Sequence, residues 1–271
     1  MRDDVVVLMT AYRRPGYLRK VLTSWRQVRG IEDVQIVLAL EPSDRQGAML
    51  GVIRDSVEAG LNIKLRVNDG VLGVDVNIVE AASRLWWERQ SLEYMIFAED
   101  DLVVSSDTLE YFLWADREFR DREDVLLVNA HTDDGAAEGS PEDEVYLGQR
   151  LRCWVWATWR DRWDDVLKPT WDRDVSSWEY PGDPCDWAWN LDLRVIPRGG
   201  FRTVLPAASR SENIGRFEGV HADPGLFQGT KNPSFRASRE PVEYRLTHEE
   251  EVLPVGWRKH RDGRVTPPQS P

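Results

Sequence analysis

Three consecutive acids, Glu99, Asp100 and Asp101, follow the apolar run YMIF (94–97) in the stretch FAEDDLVVSSDTLEYF (97–112). Such a run reads as a buried strand, and carboxylates at its end cost desolvation unless something pairs with them. Adjacent residues on a strand point to opposite faces, so the three cannot share one task. At a strand's end they can diverge, one toward a metal and the others toward hydroxyl groups. A single carboxylate is a normal protein contribution to a Mg2+ or Mn2+ site whose shell is completed by substrate phosphates. The plainer alternative is a set of solvated acids before a helix. Ser106 or Asp107 would cap that helix, which carries Leu109, Phe112 and Leu113.

Other residues invite the same double reading. Asp186 follows the rigid turn PGDPC (181–185) and is either a positioned general base or a helix N-cap. HTDDG (131–135) is either a substrate-lining loop or a second metal site. NDGVLGVDVN (68–77) has glycines without the spacing of a phosphate-cradling ATPase loop, which argues against an ATPase. TAYRRPGYL (10–18) supplies no glycine-rich loop of the nucleotidyltransferase kind. The tryptophans gathered at 154, 156, 159, 163, 187 and 189 serve mainly a core, with one or two free to stack on an acceptor.

The elements that must position these groups alternate through the first 130 residues. VVVLMT (5–10), VQIVLAL (34–40), EYMIF (93–97) and VLLVNA (125–130) are apolar runs of buried strands, and NIKLRV (62–67) alternates like an edge strand. Pro15 opens a helix with Leu18, Val21, Leu22 and Trp25 on one face. Further helices fit 44–59 and 74–89, and RCWVWATWRDRWDDVL (152–167) reads as a strand running into a helix. This alternation predicts an α/β fold with a mostly parallel sheet flanked by helices. Ligands bind such sheets at the carboxyl ends of the strands. The acids sit at one such end, Glu41 at another, and Thr10 to Arg14 at a third. From about Glu240 the chain is charged and ends TPPQSP, which predicts an extended or disordered tail.

Composition narrows the class. The formal charge of −12 repels nucleic acid and anionic substrates on average, so phosphate chemistry here calls for a metal or local arginines. Should a hydroxylated nucleic acid nonetheless be the acceptor, Arg150, Arg152, Arg160, Arg162, Arg194, Arg198 and Arg202 are expected in its groove. Two cysteines rule out a disulfide framework or a four-cysteine zinc site. No apolar stretch reaches the roughly 18 residues of a membrane span, and MRDDVVVLMTAYRRP shows no cleavage signal. The expectation is a cytoplasmic protein without membrane association, bacterial or, if phage-encoded, in the host cytoplasm.

Taken together, the segments resemble the GT-A nucleotide-sugar glycosyltransferases, and among them the alpha-mannoside beta-1,2-N-acetylglucosaminyltransferases. EDDLVVSSDTLEYF is similar to that family's donor and metal segment. VNAHTDDG, WATWRDRW, CDWAWN and PAASRSENIGRFEGVH resemble later family segments in order, over about 5–225. The resemblance implies that Asp101 ligates Mn2+ or Mg2+, that Asp100 contacts the donor ribose and that Glu99 contacts the transferred sugar. It further implies Asp186 as general base, Arg13 or Arg14 and Glu41 at the nucleobase, Thr10 nearby, and His221 on the diphosphate or metal. Glu41 suits an N–H donor of uracil, hence a UDP-sugar. Cys185 stands where the family has a second acid, which leaves Asp183 or Asp192 as alternative bases.

The implied organisation is one domain over 1–240, with a donor half (1–130), an acceptor and catalytic half (131–240), and a tail (241–271). The implied activity is inverting transfer of a sugar to a hydroxyl of a glycan, a small molecule or a modified nucleic acid. A non-catalytic sugar-binding protein and a metal-dependent phosphohydrolase are the rival readings.

Overall fold

Strand β1 (Val5–Ala11) is buried along its whole length, as a strand covered on both faces must be. Its side chains alternate between two cores: Val5, Val7 and Met9 belong to one, Val6 and Leu8 to the other. The computed structural model of the 271-residue chain describes residues 2–132, 140–171, 187–215, 241–252, 258–259 and 265–266.

Parallel to β1 run β2 (Gln35–Leu40), β3 (Ile63–Val67) and β4 (Tyr94–Glu99). Helix α1 (Pro15–Trp25) starts with Pro15 in its first turn, where a missing N–H costs nothing. It buries Leu18, Val21, Leu22 and Trp25 in the first core, as spacing predicts. Helix α2 (Gln46–Glu58) adds Met49, Val52 and Ile53 to that core, while α3 (Val74–Glu88) buries Ile78, Ala82, Leu85 and Trp86 in the second. The helix bounds therefore fall close to the predicted 44–59 and 74–89.

After β4 come β5 (Leu102–Val104), α4 (Thr108–Phe119), β6 (Val125–Asn129), β7 (Glu144–Gly148) and β8 (Trp156–Trp159). Helix α5 (Arg160–Arg162) runs into a π-helical turn, Trp163–Leu167. A second helical stretch joins α6 (Trp187–Asn190) to α7 (Ile196–Gly199) and leads to β9 (Arg202–Pro206), β10 (Ser211–Asn213) and β11 (Arg245–Glu249). Short strands β12 (Arg258–Lys259) and β13 (Val265–Thr266) pair with each other.

The main sheet has nine strands in the order β11-β7-β9-β6-β8-β4-β1-β2-β3. β8 runs antiparallel to both β4 and β6, and β7 antiparallel to β9; the remaining pairings are parallel. The result is an α/β fold with a mostly parallel sheet flanked by helices.

Most of the clustered tryptophans are core. Trp156 stacks on Phe97 with centroids 4.0 Å apart, and Trp171 on Trp187 at 4.8 Å. Trp163 meets both Trp86 and Phe97. Two expectations are corrected. The segment beyond 240 is not merely a tail: β11 pairs with β7 and extends the main sheet. Asp107 does not cap α4 with its side chain; its carboxylate is buried against Arg210.

Candidate active site

The acids lie where β1 and β4 end together, Thr10 being the register partner of Glu99. The apolar residues of β4 carry the chain through the core, and Asp100 and Asp101 fall in the turn that follows. Both are buried, at 1% and 6% exposure, so their charges must be met by protein groups. Arg14, at the start of α1, meets them. Its Nη1 donates to Asp101 Oδ2 at 2.6 Å and its Nη2 to Asp100 Oδ1. The Tyr12 N–H donates to Asp100 Oδ2 at 3.2 Å. Glu99 is half-buried and, with Thr10, Cys153 and Trp156, lines a cavity of about 10 Å³, room for about one water.

One guanidinium serves two carboxylates, and the balance shows it. Burial pushes Asp100 up to about 6, against the pull of Arg14. Burial also raises Asp101 above the usual carboxylate range, again against Arg14. For Arg14 itself burial works downward, but Asp100 and Asp101 outweigh it and hold the guanidinium above its ordinary value. The cation is thus firmly charged, while at both acids burial outweighs its pull.

The next strand ends continue the same edge. Glu41, after β2, donates its N–H to Ala11 O and is buried. Its Oε1 accepts from the N–H groups of Leu72 and Gly73 at 2.7 and 2.8 Å. Glu41 therefore anchors the loop leading into α3, where Gly73 adopts φ +82°, a conformation that favours glycine. Arg13 is exposed, with its guanidinium 5.6 Å from the Tyr12 ring centroid.

On the other side, the β5–β10 ribbon covers Asp101. The Ile214 N–H donates to Asp101 O at 2.8 Å, and the Gly215 N–H to Asn213 Oδ1 at 2.7 Å. A methyl group at Gly215 would collide with Asp101 Oδ2. Nothing local in the sequence marks Asn213 or Gly215 as neighbours of the acids, because the β5–β10 pairing that brings them there is long-range. His131, after β6, is buried, with its Nδ1 3.2 Å from both Ser211 O and Ser209 Oγ and its ring 4.5 Å from that of Trp154.

Asp186, His221, Asp183 and Cys185 lie outside the described residues, as do residues 133–135 of HTDDG. Asp192, the other base candidate, accepts the Leu151 N–H at 2.6 Å and sits 3.5 Å from Arg150 Nε. Three of the arginines named for a nucleic-acid groove have protein partners. Arg162 is buried and donates to Arg120 O and Arg122 O, Arg160 donates to Leu92 O and Arg89 O, and Arg202 pairs with Asp124 and Glu249.

The acid pair fits a divalent ion. Its donors are hard carboxylate oxygens, buried, with a cation already drawn to them. Among the described residues no three His, Cys, Asp or Glu side chains gather into an all-protein metal cage. A Mg2+ or Mn2+ site finished by substrate phosphates requires only one or two carboxylates. Among the described residues no helix is long and apolar enough to cross a membrane.

No family model matches the chain, and no curated protein matches it. Among solved structures, the chain is similar to the mannosyltransferase PcManGT from Pyrobaculum calidifontis in complex with GDP-Man and Mn2+. That match has 14% identity, covers 62% of this chain and 52% of the other, and has a TM-score of 0.45. The chain is also similar to S. aureus TarS 1-349, at 15% identity over 52% of this chain and 39% of the other, with a TM-score of 0.39. The same fragment in complex with UDP matches at 19% identity over 52% and 38%, with a TM-score of 0.37. The chain spans about half the length of the mannosyltransferase and about two fifths of the TarS fragment.

Proposed function

We propose that the chain is a metal-dependent GT-A glycosyltransferase that moves a sugar from a nucleoside-diphosphate sugar, UDP-linked, to an acceptor hydroxyl with inversion. The observation that carries this reading is the buried pair Asp100–Asp101 at the carboxyl end of β4, in contact with Arg14 from the start of α1. Open α/β sheets bind ligands at such ends. Two buried acids there that meet one cation, Arg14, among the described residues favour a second positive charge.

In this reading Asp101 ligates Mn2+ or Mg2+, Asp100 faces the ribose and Glu99 the hydroxyls of the transferred sugar. Thr10, Arg13, Arg14 and Glu41 border the nucleotide, and His221 faces the diphosphate. When bound, the ion supplies Lewis-acid stabilisation of the leaving diphosphate. Asp186 accepts the proton of the acceptor hydroxyl as its oxygen bonds to the anomeric carbon. The sugar–phosphate bond breaks in the same step, and its electron pair leaves with the nucleoside diphosphate. A positioned carboxylate contributes roughly 10²–10⁴-fold to such a step. The acceptor is a glycan, a small molecule or a modified nucleic acid.

Calorimetry with nucleotides and nucleotide-sugars, with and without Mn2+, tests the reading on wild type and Asp101→Asn. The expected result is binding of one nucleoside diphosphate that requires Mn2+ and is lost in the variant. No nucleotide binding at all overturns it. Cleavage of the donor that is equally fast with and without any acceptor would favour the phosphohydrolase. Sugar binding that survives Asp101→Asn would favour a non-catalytic binding protein.

A further inference from the structure

Arg14 is the cation that the acid pair holds. Its side chain is 16% exposed, against 2% for Asp100 and 9% for Asp101, so the contact is a shielded one. The atom that matters is Asp101 Oδ2. Arg14 Nη1 lies 2.6 Å from it on one side. The backbone of Gly215 closes another, tightly enough that a methyl group there would strike the same oxygen. A Mg2+ ion binds a carboxylate oxygen at about 2.0–2.1 Å and repels a neighbouring guanidinium. An ion taking Asp101 Oδ2 would therefore have to compete with Arg14 for that oxygen.

Arg14 also has a chemistry that suits a second partner. It occupies the residue before Pro15, just past the carboxyl end of β1, and a guanidinium matches phosphate oxygens with two parallel donors. We propose that Arg14 is an exchangeable counter-ion: it holds Asp100 and Asp101 until a divalent ion arrives, leaves Asp101 as the ion enters, and turns to the donor diphosphate. This rests on the transferase reading above, and it assigns Arg14 two successive anionic partners. Metal affinity and nucleotide affinity should then respond to Arg14 with opposite signs. A guanidinium that only braced the fold would weaken both when removed. One that only bound the donor would leave the metal unaffected.

The test uses the full chain and its Arg14→Gln and Arg14→Lys variants. Each is titrated with MnCl2 alone, and then with UDP at saturating Mn2+. Arg14→Gln should bind Mn2+ about tenfold more tightly and UDP about tenfold more weakly, each a change of about 1.4 kcal/mol. Arg14→Lys, which keeps the charge but not the two-point fork, should fall between. Mn2+ affinity equal to or below wild type in Arg14→Gln overturns the exchange. Should Arg14→Gln fail to fold, the wild-type guanidinium proton resonances decide: Mg2+ saturation should shift the Arg14 signals, and unchanged signals overturn the proposal. Wild type that binds Mn2+ with UDP while Arg14→Gln shows no Mn2+ gain sinks this inference alone. Wild type that binds neither sinks the transferase reading with it.

Discussion

Arg210 and Asp107 form an ion pair closed off from solvent, Nε to Oδ2 at 3.1 Å, with side chains only 2% and 1% exposed. The pair is fully dressed. Tyr244 OH donates to the same carboxylate oxygen at 2.7 Å, and Ser105 Oγ donates to the other. The remaining Arg210 nitrogens donate to Ala208 O and Glu142 O. The pair thus pins the approach to β10, and β10 leads directly to Ile214 and Gly215 over Asp101. Arg210→Met would leave a buried carboxylate without its cation, a change that costs about 3–5 kcal/mol. Urea unfolding measures it, and a loss below about 1 kcal/mol, the range of an exposed pair, would contradict this pinning role.

Gly215→Ala asks whether the space beside Asp101 is needed. The added methyl would meet Asp101 Oδ2 and lie 3.0 Å from Asn213 Oδ1. Mn2+-dependent nucleotide binding should fall at least tenfold, about 1.4 kcal/mol, with a smaller change in thermal stability. Binding equal to wild type would show that the ribbon yields freely at this point.

Asp100 makes stability depend on pH. Its folded value of about 6 stands above the ordinary 3.8, so the folded chain holds this proton more tightly than the unfolded chain. Its contribution is complete below the lower value and is lost as pH rises through the upper one. A shift of this size is worth on the order of 3 kcal/mol. Urea midpoints of metal-free wild type and Asp100→Asn, compared across that window, isolate it. The stability of wild type relative to the variant should decline with rising pH. A difference that stays flat or grows would rule out the assignment.

Glu41 anchors the loop before α3 through two backbone N–H groups. Glu41→Ala should cost about 1–3 kcal/mol, the penalty for orphaning buried donors. Hydrogen exchange locates the effect: the Leu72 and Gly73 amides should lose protection while those of β1 keep it. Unchanged protection at both amides would mean that another acceptor holds them.

Much of this architecture is legible in single residues. β1, β2, β4 and β6 announce themselves because burial on both faces demands unbroken apolar runs. β11 does not, since RLTHE is a largely exposed edge strand with no apolar signature, and it reads as tail. Asp107 resembles a helix cap by its position alone, and only its partner 103 residues away gives it a different task. The acids stand out in the sequence as a triplet. Their cation does not, because Arg14 lies 87 positions from Asp101 and nothing local distinguishes it from Arg13.

The antiparallel strand β8 sits between β4 and β6, with Trp156 laid flat on Phe97. A nascent chain therefore carries Thr10, Arg14, Glu41 and all three acids out of the ribosome well before the strand that seals their sheet. Until Trp159 emerges, β4 offers an open hydrogen-bonding edge beside an uncovered aromatic ring, the kind of surface that recruits chaperones or other chains. The same interleaving constrains inheritance. Residues 1–130 cannot be recombined with a new partner segment by joining the two end to end, because the later segment carries a strand, β8, that pairs with both β4 and β6.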